Sequence, residues 1–194
     1  MSEDSWAEAA PTWDTDPYVV AYANAAFESL QAAVTLSADT RVLDFGCGTG
    51  LLAERLAPHV HEVVAVDASA AMVEVLSAKS LPNVKSLAAT WTPANLPNDL
   101  GRFHLVVCSS VCAFLDDYPG TAAMLASLLH PGGHFVQWDW ELDPSAEEPM
   151  GLTAPTIREA LERAGLEVVS VGQGFDCRVG GSTMRPLMGV GRTR

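Results

Sequence analysis

The sequence predicts an α/β fold in three layers: a mostly parallel seven-stranded sheet with helices on both faces and an antiparallel last strand. Three observations predict it. Short apolar runs rich in β-branched residues alternate with helical segments along most of the 194 residues. A glycine-rich turn, Gly46-Cys47-Gly48-Thr49-Gly50, separates the first run from the helix after it. The last two runs are joined by glycine-rich turns and suit antiparallel pairing.

The elements follow in order. Residues 17–36 read as a helix, with Pro17 near its start and Val20, Ala23, Phe27, Leu30 and Val34 at helical spacing. Ahead of it, a segment carrying Trp6 and Trp13 reads as a short helix plus a loop. Residues 41–45 are a short apolar strand ended by glycine, and residues 51–57 a helix halted near Pro58. Residues 62–66 are a second strand, apolar on both faces as a central strand is. Residues 69–78 form a crossover helix, and residues 84–88 a weaker third strand followed by a proline-containing loop to Leu100. Residues 105–108 are a fourth strand, 119–129 a helix, 130–133 a turn and 134–138 a fifth strand. A helix over 153–164 is capped by Gly165, and residues 167–173 and 184–191 close the sheet. Right-handed crossovers between such strands put ligand sites at their carboxyl ends.

The composition narrows the partners. Twenty-four acidic residues against eleven basic ones leave a net charge of −13, so few cations are on offer for a phosphate backbone. Nucleic acid is disfavoured as substrate. No apolar run is long enough to span a membrane, and the acidic start Met1-Ser2-Glu3-Asp4 lacks the basic region of a secretory signal. A cytoplasmic address is the expectation. Cys47, Cys108, Cys112 and Cys177 show no C-x-x-C spacing and read as reduced thiols, with no metal site expected. The five histidines fall mostly at turns or strand starts, away from the carboxyl ends of the strands, and read as non-catalytic.

The glycine turn carries the chemistry. Its residues let the backbone bend sharply and approach a ligand closely. Asp44, at the strand's end, can accept hydrogen bonds from a cationic ligand group, and Asp67, ending the second strand, from both hydroxyls of a ribose. A rival parse stays open, since Gly48-x-Gly50-x-x-Ala53 with Asp67 also fits a dinucleotide fingerprint and an NAD(P)-dependent oxidoreductase. Against it, Gly46 already fills the place directly after the strand.

The turn, the run Val64-Ala65-Val66-Asp67-Ala68-Ser69, the strand Phe103-His104-Leu105-Val106-Val107 and the turn Leu129-His130-Pro131-Gly132-Gly133 resemble, in order and spacing, class I methyltransferases that use S-adenosylmethionine (SAM). The resemblance implies a Rossmann-like sandwich, one domain over residues 1–194 with residues 1–36 as an N-terminal helical lid, and S-adenosylhomocysteine as product. It places Gly46, Cys47, Gly48 and Gly50 along the methionine and ribose of SAM, Asp44 near the methionine amino group and Asp67 on the ribose. Ala68 and Met72 cover the adenine, although Met72 also suits the core of its helix. Cys108 and Ser109 end the fourth strand beneath the sulfonium.

Two positions depart from that pattern. Where the family often carries an acidic residue for the adenine amino group, the chain has Thr90 and Trp91, a hydroxyl and an aromatic face. His104 replaces an aspartate before the fourth strand and receives no catalytic role.

The implied reaction is methyl transfer to a small-molecule acceptor. Trp13 and Tyr18 in the N-terminal segment, and Trp138 and Asp139 in the run Trp138-Asp139-Trp140, suit either an acceptor pocket or ordinary packing. No catalytic base is assigned; Asp116, Asp117 and Asp139 are the nearest candidates. A catalytically silent SAM-binding subunit is the remaining alternative, and the oligomeric state is open.

Overall fold

The computed structural model describes residues 4–145 and 150–194. Nine strands are present among them: β1 (Arg41–Phe45), β2 (Glu62–Asp67), β3 (Val84–Ala88), β4 (Phe103–Ser109), β5 (Leu129–Asp139), β6 (Glu167–Gln173), β7 (Cys177–Val179), β8 (Ser182–Met184) and β9 (Leu187–Arg192). Seven form one sheet in the order β3-β2-β1-β4-β5-β9-β6. All run parallel except β9, which pairs antiparallel with both β5 and β6. The helices are α1 (Pro17–Ala33), α2 (Leu51–Leu56), α3 (Ala70–Ala78), α4 (Tyr118–Ser127) and α5 (Ala154–Arg163).

Strand periodicity divides the core. Leu43, Val64, Val66, Val106 and Phe135 face one side, with Leu125 of α4 and Ile157 and Leu161 of α5. Val42, Val63, Ala65, Leu105 and Val107 face the other, with Leu30 of α1, Leu56 of α2 and Leu76 of α3. Both faces of the central strands are therefore dry, which is why their sequences are apolar without alternation. The chain winds outward from β1 to β3, then returns to lay β4 on the opposite edge of β1. The order reverses between β1 and β4, and a crevice opens there at the strands' carboxyl ends.

Several boundaries differ from expectation, each for a local reason. α1 is capped by Asp16, whose carboxylate accepts the Tyr18 N–H at 2.8 Å, and it stops at Ala33 because Val34 is extended. β4 begins at Phe103, and residues 130–133, expected as a turn, belong to β5. Phe103 pairs with Leu129 and Leu105 with His134, so a bulge absorbs the extra residues. The strand expected over 184–191 is broken at Pro186, which has no N–H for a ladder. Residues 177–184 fold instead into the β7–β8 hairpin, packed against α1.

Trp138 also lies elsewhere than in an acceptor pocket. It is fully buried on the α1 side of β5, and its indole N–H donates to the Ser29 hydroxyl at 2.9 Å. Removing it opens a large cavity in that layer. Trp138→Ala should lower the unfolding free energy by about 3–5 kcal/mol, read as the shift in a urea midpoint at constant slope.

Candidate active site

The glycine turn is tied down by main-chain and carboxylate contacts. The N–H groups of Gly46 and Cys47 donate to the Val66 carbonyl at 2.8 and 3.1 Å, fastening the turn to β2. Asp67 accepts the Gly48 N–H through one oxygen and the Ser69 N–H through the other, both at 2.8 Å. Gly46 has φ +72°, and a Cβ there would sit 2.6 Å from the Cβ of Val111. At Gly50, φ is +78° and a side chain would run into Leu76. Both positions exclude other residues through backbone angle and space together.

Asp44 sits in β1 just before this turn. It is fully buried, lines the cavity, and neither carboxyl oxygen has a hydrogen-bond partner. Burial pushes its carboxyl up to about 7, with Asp67 nearby adding to the effect. An orphaned carboxylate in the lining of a cavity is a receptor for a cation.

The cavity has a volume of about 280 Å³. Its floor is the glycine turn and Asp44, with Ser109 and Ser110 at the end of β4. Its outer wall is aromatic and comes chiefly from the N-terminal segment. Trp6 stands edge-on to Trp13 at 5.6 Å and to Phe114 at 5.8 Å. Tyr22 packs against Trp140 at 5.3 Å and receives the Ser110 hydroxyl at 2.8 Å. The segment is anchored on both sides of the turn. Asp14 accepts the Thr49 hydroxyl at 2.5 Å and pairs with Lys79 at 2.7 Å, while Asp4 accepts the Ser69 hydroxyl at 2.8 Å.

Of the residues singled out from sequence, Asp44, Gly46, Cys47, Gly48, Met72, Ser109, Trp13 and Tyr18 meet at this cavity. Asp67 stands beside it as the clasp of the turn. Gly50 begins α2 behind the wall, and Ala68 is exposed. Others are corrected. Thr90 is exposed, and its carbonyl accepts from the Asn95 amide at 2.9 Å. Trp91 is buried among Leu43, Phe45 and Val64, too deep to offer a face to a ligand. Cys108 is fully buried beneath Ser109.

Asp139 is buried as well. It accepts the Ala113 N–H at 3.1 Å and the Gln137 amide at 2.9 Å, and burial pushes its carboxyl up to about 6. Its two contacts hold the loop after β4 rather than face the cavity. Asp117 caps α4 through the Gly120 N–H at 2.9 Å, and Asp116 is exposed; neither lines the cavity. Sequence reasoning missed Thr49, Ser110, Phe114 and Met184 on the wall. Ser110 and Phe114 sit in an irregular segment after β4, where no periodicity marks which side chains face inward.

Comparison with known proteins supports one family. A model described as a methyltransferase domain matches residues 19–171. The chain is 31% identical over 126 residues to trans-aconitate 2-methyltransferase of Deinococcus radiodurans, a match covering 63% of this chain and 47% of that protein. It spans about half the length, or less, of the curated relatives it matches. Among solved structures, it superposes with a TM-score of 0.79 on a putative methyltransferase of Haloferax volcanii in complex with the Trm112 activator. That likeness is at 20% identity and covers 98% of this chain and 96% of the other. The N-methyltransferase NodS of Bradyrhizobium japonicum, in complex with S-adenosylhomocysteine, gives 0.69 at 18% identity, covering 99% and 93%. These comparisons give no support to the dinucleotide parse.

The raised Asp44 carboxyl has a consequence for stability. A carboxyl whose folded value lies near 7 against 3.8 unfolded binds more protons in the folded state between those values. Its contribution therefore falls as pH rises from about 4 to about 7 and is flat above. Asp44→Asn removes that loss. The variant should melt above the ligand-free parent at pH 8, with the gap closing toward pH 4, as followed by thermal denaturation.

Proposed function

This chain belongs to the class I SAM-dependent methyltransferase family, and on that premise we propose that it methylates a small-molecule acceptor and releases S-adenosylhomocysteine. The observation that carries the reading is the unpartnered carboxylate of Asp44, buried at the foot of the glycine turn in the lining of the cavity. The residues present fit the cofactor. Asp44 answers the ammonium of its methionine part, and the small turn residues leave room for the chain beside them. Asp67 has a lone pair left on each oxygen for the ribose hydroxyls after clasping the turn. Met72, buried on the cavity side of α3, packs flat on the adenine.

SAM supplies, when bound, a methyl group on a positively charged sulfur. The chain's own task is then to bind, orient and exclude water. Ser109, ending β4, and Ser110, just after it, lie at the cavity floor, and the aromatic wall stands on the solvent side. A compact cavity of about 280 Å³, walled on its outer side by aromatic rings, suits a small acceptor better than a polymer.

Calorimetric titration with S-adenosylhomocysteine tests this. At pH 8 binding is expected in the micromolar to submillimolar range. Asp44 must be ionised to hold the ammonium, so affinity falls about tenfold per pH unit below its pKa and levels off above it. Asp44→Asn weakens binding by about tenfold or more and loses this pH dependence. Binding of NAD in place of S-adenosylhomocysteine would overturn the reading.

On this reading the described part of the N-terminal segment, residues 4–36, forms a lid on the cavity, with α1 as its base. Its support is the position of Trp6, Trp13 and Tyr18 on the cavity wall and the anchors Asp4–Ser69 and Asp14–Lys79. α1 is fixed in the core by Leu30 and by the Trp138–Ser29 bond, so the segment before it is the part that opens to admit the cofactor and is steadied by it. Hydrogen exchange over residues 5–22 should slow on adding S-adenosylhomocysteine; an unchanged rate there would leave the aromatics as fixed packing.

A further inference from the structure

We propose that the acceptor is an amine and that the aromatic wall is a receptor for its ammonium product, an inference that rests on the methyl-transfer reading above. The wall consists of Trp6, Trp13, Tyr18, Tyr22, Phe114 and Trp140. Aromatic faces carry negative charge density and attract cations. Among the described residues no lysine, arginine or histidine lines the cavity, so nothing there offsets the cost of desolvating an anion. The net charge of −13 discourages anions further at long range. Carboxylate and thiolate acceptors are poorly served by such a site.

The wall is equally poor in groups that take a proton. Asp44 is the one carboxylate on it among the described residues, and the cofactor's ammonium claims that group. Asp116, Asp117 and Asp139 all lie off the wall. Burial holds the Tyr22 phenol and the Cys47 thiol above their ordinary values, so neither acts as a base near neutral pH. An alcohol or phenol acceptor needs such a base; a neutral amine does not.

The charge balance points the same way. The amine lone pair forms the new N–C bond as the C–S bond breaks, and that bonding pair stays on sulfur. The positive charge thus moves from sulfur to nitrogen, and a product N–H proton leaves later to water. One positive charge occupies the cavity before and after the step. A wall suited to a single cation serves sulfonium and ammonium alike. With an anionic acceptor the charge would vanish, and the wall would have to hold the anion beforehand without a cationic partner.

The test uses the protein saturated with S-adenosylhomocysteine and three probes of one shape: choline, 3,3-dimethyl-1-butanol and 3,3-dimethylbutanoate. They carry one positive, no and one negative charge on the same branched end or its tail. Binding is read by calorimetry and by quenching of indole fluorescence. Choline should bind about tenfold more tightly than the alcohol, and the carboxylate should bind weakest. Trp140→Leu, at the partly exposed rim, should bring choline close to the alcohol in protein kept saturated with S-adenosylhomocysteine. With labelled SAM, amines should accept methyl in preference to phenols and to trans-aconitate. The alcohol or the carboxylate binding as tightly as choline, or preferential methylation of a phenol or carboxylate, would overturn the proposal. Failure of S-adenosylhomocysteine to bind, seen in the first titration, instead overturns the methyl-transfer reading and this inference with it.

Discussion

A carboxyl group with no partner, in the middle of a sheet, is the constraint on which the rest of this molecule depends. Taking an ionised carboxylate out of water costs several kcal/mol, and the usual remedy is a ring of donors. Asp44 has none, and answers by holding its proton to about 7. The strands beside it carry Val63, Ala65, Val106 and Val107, so the interior supplies no polar relief. Relief has to come from the open side, where the glycine turn keeps bulk away and Val111 fills the space a side chain at Gly46 would take. A ligand cation arriving there is bound partly by cancelling a penalty the folded chain already carries.

A second buried polar group shows the contrast. The Tyr118 hydroxyl donates to Gln137 at 2.6 Å, and Gln137 donates to Asp139, which also receives the Ala113 N–H. Asp139 and Asp44 both titrate high because both are buried. Only one is chemically idle. In Asp139 each oxygen is occupied, and the product is a rigid loop after β4 that delivers Phe114 to the cavity. A raised carboxyl alone does not distinguish the two; the absence of partners does.

The sheet and the glycine turn were legible because each is written locally. Runs such as Val63-Val64-Ala65-Val66 admit few other conformations, and the turn's glycines sit where backbone angles demand them. Trp138 and Asp139 misled because strand periodicity fixes alternation but not which face is which, and Trp91 because it lies in the loop after β3, where there is no periodicity. On β5 a shift of one residue exchanges the α1 side for the α4 side, and the bulge at its start supplies such a shift. The expectation at Thr90 rested on resemblance, and the Asn95 side chain has turned that loop back on itself. The aromatic wall was half legible. Tyr18 and Tyr22 share a helix face at i and i+4, whereas the edge-on meeting of Trp6 with Phe114 joins residues far apart in sequence and leaves no pattern to read.

The place of β9 also dictates when the sheet can be finished. It lies between β5 and β6, yet follows both in sequence. During synthesis β1 to β5 can assemble side by side as they emerge, each against a neighbour already present. β6 appears with no strand to receive it, since its one partner is still untranslated. Ile157 and Leu161 of α5 wait uncovered for the same reason, because Gly189 of β9 is what lies against them. Closing this layer means threading a strand inward between two others rather than adding one at a rim. Such distant pairing is slow to form and leaves apolar surface open meanwhile. Until β9 is in place, the apolar side of α5 and the free edge of β5 stay open to the wrong partners.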